Sequence, residues 1–99
     1  MTKNEKVNPI LAKITNMRVE LAERYTVTRI GLFGSYARGE QSLGSDVDII
    51  VELAEPTFDH YMDLKFRLED TLGRTVDLVI ADTVKPRLKS IIENEVVYA

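Results

Sequence analysis

At 99 residues and 44% apolar content, the chain has material for one domain with one modest core, residues 1–99, and not for two. A net charge of −3 speaks against a surface built to neutralise nucleic-acid phosphates, though not against a nucleotide whose charge is masked by a cation. The absence of cysteine excludes disulfides and thiolate metal sites, and the single histidine, His60, cannot furnish a histidine-rich one. No stretch has the length and apolarity of a membrane span, and the polar start "MTKNEKVNPI" lacks the apolar segment of a secretion signal. The expectation is a cytoplasmic domain with neither membrane nor direct nucleic-acid contacts.

In chain order, the spacing predicts a helix from Asn8 to Tyr25, with Asn8 as its cap and Pro9 at its first position. Ile10, Leu11, Ile14, Met17, Leu21 and Tyr25 recur every three or four residues and form its apolar stripe. The charges Arg18, Glu20, Glu23 and Arg24 read as its solvated face. "VTRIGLF" at 27–33 reads as a strand, and "DVDIIVEL" at 46–53 as a second. Helical spacing returns at 57–73, with Phe58, Tyr61, Met62, Leu64, Leu68 and Leu72 on a broad apolar face and Gly73 as the stop. A third strand is expected at 75–81, and a last helix from Lys85 to Asn94 with Leu88, Ile91 and Ile92 as its apolar side. The result is an α/β domain, α+β-like, with a small mixed three-stranded sheet packed by helices.

The polar residues inside this pattern are the informative ones. Side chains alternate along a strand, so Asp46 and Asp48 share one face while Val47, Ile49 and Val51 share the core face. Asp77 breaks a run of Val, Leu, Val and Ile, a costly place for a charge unless it is paired or binds metal. A helix between the second and third strands implies a parallel crossover, which sets Asp77 beside Asp46 and Asp48. If the first strand is antiparallel to the second, Gly34 and Ser35 fall next to the same carboxylates. Oxygen-only ligands select a hard cation, Mg²⁺ being the usual one where phosphates complete the shell. A Gly-Ser turn opening a short helix allows close approach of a phosphate, and Arg38 stands one turn on as a charged donor. A phosphate cradle facing a carboxylate cluster is suited to nucleotidyl transfer.

Gly34-Ser35, ten residues, then Asp46-Val47-Asp48 resembles the signature of the DNA polymerase β-like nucleotidyltransferase superfamily. The longer string "GSYARGEQSLGSDVDIIVEL" and the tail "VDLVIADTVKPRLKSIIENEVVYA" are similar to the minimal nucleotidyltransferase (MNT) domain proteins. Those are the antitoxin halves of HEPN/MNT toxin–antitoxin pairs. The resemblance implies the minimal nucleotidyltransferase fold. It implies Asp46, Asp48 and Asp77 as catalytic Mg²⁺ ligands, with Asp77 also a general base. Gly34, Ser35 and Arg38 would hold the triphosphate of ATP. It implies transfer of AMP to a side-chain hydroxyl, a tyrosine, of a HEPN toxin.

A domain of this size leaves no chain for an acceptor pocket, which points to an acceptor presented by a partner protein. An apolar face this broad also suits pairing with a second copy or with the toxin. Two other functions stay open: an antitoxin that neutralises by binding and occlusion alone, and transfer to a small molecule. Among the remaining residues, Tyr61, Met62 and Phe66 read as core, Tyr36 as packing beneath the turn or stacking near a base, and His60 as an ordinary surface or partly buried residue.

Overall fold

The computed structural model describes residues 9–99, so the expected cap at Asn8 lies outside the described residues. The first elements are α1 (Pro9–Asn16) and α2 (Arg18–Tyr25), two short helices where the spacing predicts one. The break falls at Met17. The Thr15 hydroxyl donates to the Leu11 carbonyl at 2.9 Å, a side-chain bond that bends helices, and the Met17 N–H bonds back to Ile14 in a tighter turn. The apolar stripe survives the bend: Ile10, Ile14, Met17, Leu21 and Tyr25 are all buried.

There follow β1 (Val27–Phe33), α3 (Gly34–Arg38), β2 (Val47–Leu53), α4 (Phe58–Leu72), β3 (Val76–Ile80), a 3-10 turn (Ala81–Thr83), α5 (Pro86–Glu95) and β4 (Val97–Tyr98). The sheet has the order β3-β2-β1-β4. β1 and β2 are antiparallel, and β2 and β3 are parallel, as the connections require. The sheet has four strands rather than three, because residues 97–98 add an antiparallel edge to β1 at Gly31 and Leu32. Two residues are too few to show a period, so nothing local marks them as a strand.

Val47, Ile49 and Val51 of β2 are fully buried in the core as expected, while Ile50 on the Asp48 face is buried as well, outside that core cluster. α4 meets the first three with Leu64, Leu68 and Leu72, one residue per turn. Each such side chain contributes about 1.5–3 kcal/mol on burial. The apolar face of α4 is narrower than expected. Phe58 and Phe66 stay mostly exposed, at 75% and 57%, because they lie outside that stripe. Tyr61 is half-buried and donates its hydroxyl to the Leu78 carbonyl at 2.6 Å. α5 buries none of its residues, and Leu88 and Ile91 are exposed.

One charge of the first helical segment is not merely solvated. Glu20 accepts two bonds from Arg67 of α4, at 2.7 and 3.1 Å, and this fork ties α2 to α4.

Candidate active site

The site forms where β1 ends and where β2 and β3 begin. Asp46 immediately precedes β2, and Asp48 is its second residue. Across the sheet Asp48 lies opposite Phe33 on one side and abreast of Asp77 on the other. Antiparallel and parallel pairing thus bring the Gly34 turn and the third aspartate to the same carboxylate. Asp46 and Asp77 are exposed, and Asp48 is half-buried.

Gly34 turns the chain with φ +73°, the left-handed region that favours glycine. A Cβ there would stand 2.1 Å from Asp48 Oδ2. The absence of a side chain at 34 is therefore what lets the turn lie against the carboxylate. Ser35 follows in α3, and Tyr36 is buried in the core beneath it. Arg38 ends α3, before Gly39 closes it with φ 72°.

Burial foremost, then the like charges of Asp77, Asp46 and Glu95, pushes the Asp48 carboxyl above the ordinary carboxylate range, while Arg38 pulls the other way. The carboxylates are near enough to repel one another. Among the described residues, however, no three acidic or histidine side chains form a set that could chelate an ion as they stand. The donor chemistry nonetheless fits a hard divalent cation: it is all oxygen, and its net repulsion is what a cation relieves.

One residue of this neighbourhood escaped the sequence. Glu95, at the end of α5, accepts the Gly34 N–H at 2.5 Å and faces Arg38 Nη1 at 3.0 and 3.2 Å. Arg38 also bonds Glu40 through Nε at 2.8 Å. A signal was available. A carboxylate in the last turn of a helix opposes the helix dipole, so it is there against local preference. Glu52, on the same face of β2 as Asp48, instead meets Arg29 at 3.5 Å and takes no part. His60 is held by its own helix start: its N–H bonds to the capping Thr57 hydroxyl and its Nδ1 lies 2.7 Å from the Glu55 carbonyl oxygen.

The nucleotidyltransferase domain family matches residues 14–99, which spans β1 to β4 and every site residue. The chain belongs to that family. Among curated relatives, it is 43% identical over 86 residues to MntA, a protein adenylyltransferase of Thermococcus cleftensis, covering 86% of this chain and 87% of that protein. Among solved structures, a minimal nucleotidyltransferase is similar with a TM-score of 0.74 and 34% identity, covering 88% of this chain and 93% of that one. A toxin–antitoxin complex with AMP-PNP is similar with a TM-score of 0.70 and 28% identity, covering 84% of this chain and 69% of that one. As a nucleotidyltransferase domain, the chain has its Gly-Ser turn and its aspartates at one end of the sheet. No helix among the described residues is long and apolar enough to cross a membrane.

Proposed function

We propose that this nucleotidyltransferase is an antitoxin that moves AMP from ATP, with Mg²⁺, to a tyrosine hydroxyl of a partner toxin of the HEPN type. The observation that carries this is the packing of the side-chain-free Gly34 turn against Asp48, with Asp77 abreast of Asp48 in the parallel register. The likeness to an adenylyltransferase and to a toxin–antitoxin complex holding an ATP analogue supports the choice of donor and partner. α5 has no fully buried residue and leaves Leu88 and Ile91 exposed, which supports a protein partner.

Gly34 and Ser35 would take the polyphosphate with a backbone N–H and a hydroxyl, and Arg38 would add a charged donor. Asp46, Asp48 and Asp77 would hold Mg²⁺, which when bound offsets the charge of the carboxylates and the polyphosphate. The acceptor oxygen bonds to the α-phosphorus, the bond to pyrophosphate breaks, and the acceptor's proton passes to Asp77. Most of the rate gain would come from holding acceptor and nucleotide in line.

A second reading is neutralisation by binding and occlusion. The observation in its favour is that Glu95 already engages the Gly34 N–H and Arg38. The deciding experiment is the intact mass of a partner toxin after incubation with this chain, ATP and Mg²⁺. Transfer predicts a gain of whole AMP units, lost in the Asp46→Asn/Asp48→Asn variant and on chelation of Mg²⁺, with complex formation retained. Occlusion predicts unchanged mass and full neutralisation by the variant.

A further inference from the structure

We infer that Glu95 is a tethered competitor for the nucleotide's polyphosphate, and that the C-terminal segment thereby sets how tightly the chain holds ATP. This rests on the nucleotide-binding reading of Gly34 and Arg38.

The Glu95 carboxylate engages both groups at once. One of its oxygens accepts the Gly34 N–H at 2.5 Å, and both lie within 3.2 Å of Arg38 Nη1. A carboxylate and a phosphate offer the same thing to such donors, namely anionic oxygens. The Gly34 N–H has a single hydrogen, so it can serve only one of them well. Glu95 also brings a negative charge toward Asp48, whose surroundings are already acidic. Its place there depends on the two donors that offset this repulsion. Polyphosphate taking those donors would leave Glu95 facing like charge on both sides and drive it outward.

The location of Glu95 is built into the sheet. Val96 alone separates α5 from β4, and β4 is fixed to β1 through Gly31 and Leu32. The Ala99 N–H bonds to the Ile30 carbonyl at 2.9 Å, and the Arg29 guanidinium lies 3.6 Å over the Tyr98 ring. Gly31 has no side chain where Val96 and Tyr98 press in, and a Cβ there would meet them at 2.6 and 2.8 Å. β1 continues from Gly31 to Phe33 and then into Gly34. One strand therefore carries both the polyphosphate seat and the register that delivers its competitor. The Glu95 side chain is 23% exposed, so it has solvent into which to swing.

The test is calorimetric binding of ATP with Mg²⁺ to the full chain and to its Glu95→Gln and Glu95→Ala variants, with thermal melts to confirm folding. The competitor predicts that both variants bind about three- to tenfold more tightly than the parent chain. In the transfer assay it predicts a lower KM for ATP with kcat little changed. Equal or weaker binding by folded variants overturns it, weaker binding marking Glu95 as a latch or a metal-side group. Should the variants melt, amide shifts of the unaltered chain decide during ATP titration. Gly34 and residues 95–97 moving together supports the competitor, and Gly34 moving alone overturns it. Binding by the parent without gain in the variants defeats only this inference. No binding of ATP by any of them defeats the nucleotide reading as well.

Discussion

Gly34 and Asp48 are in such close approach that a single added carbon on Gly34 would sit 2.1 Å from the Asp48 Oδ2. The turn that would hold the nucleotide and the carboxylate that would hold the metal are therefore one packed unit, joined by the β1–β2 pairing at Phe33 and Asp48.

Replacing Gly34 with alanine should break that unit in two ways. The left-handed φ of +73° costs about 1–2 kcal/mol for any residue with a Cβ. The methyl also forces the Asp48 carboxylate aside. The expected outcome is a folded protein with a lowered Tm and transfer reduced by about 10²-fold or more, since displacement on the order of 1 Å at a reacting group costs that much. A melt and the intact-mass assay check it. Full activity in the variant would separate Gly34 from the site.

Asp48 works against the fold that contains it. Partial burial and the charges of Asp77, Asp46 and Glu95 all oppose its ionised form. Asp48→Asn should therefore raise the Tm of the metal-free chain at neutral pH while abolishing transfer. The gain is a few degrees at most, because solvent reaches the group. Added Mg²⁺ should raise the Tm of the parent chain and leave that of the variant nearly unmoved. A Tm that falls in the variant would mean Asp48 has a stabilising partner.

Gly31 makes a separable prediction about the C-terminal edge. Gly31→Val should overpack against Val96 and Tyr98 and cost about 1–3 kcal/mol. The loss should concentrate in β4. Hydrogen exchange at the Ala99 amide, which bonds to Ile30, should accelerate far more than exchange in β2. Uniform acceleration across the sheet would mean that β4 is not a separately docked element.

Glu69 fixes the start of β3, and so the approach to Asp77. Its carboxylate accepts the Val76 N–H at 3.0 Å and the Lys65 ammonium at 3.2 Å. The backbone bond to Val76 first, and the Lys65 interactions second, hold its pKa below the ordinary carboxylate range. A lowered folded-state pKa means stability present above the unfolded value and lost as pH falls through the folded one. Glu69→Gln should therefore flatten the acid side of the stability profile and leave the alkaline side unaltered. Urea melts between acid and neutral pH read this directly, and an unchanged acid slope would remove Glu69 from the account.

Most of the convergence of the candidate site residues was legible because its signals are local. Asp46 and Asp48 flank Val47 at the start of a strand that is otherwise apolar through Val51, and Asp77 interrupts another apolar run. The β2–α4–β3 order leaves little choice but a parallel crossover that puts Asp77 beside Asp48. Errors came where short-range spacing had to stand for packing. Phe58 and Phe66 have helical spacing on α4, yet both stay mostly exposed while Leu64, Leu68 and Leu72 are buried and Tyr61 bonds to β3. The break at Met17 coincides with a side-chain bond from Thr15 and a tighter backbone turn that no hydrophobic pattern encodes.

Alternation along the strands, the glycine at the turn and the spacing of the acidic residues determined the sheet's interior and its carboxylate edge. These follow from backbone geometry that acts over a few residues, so the sequence alone carries them. Tertiary structure decided the fourth strand and the position of Glu95. β4 pairs with β1 where Gly31 leaves room for Val96 and Tyr98 across the sheet. Glu95 reaches the Gly34 N–H across 61 positions of chain because β4 holds the end of α5 in place. Contacts of that range are set by how elements pack, and no local period records them.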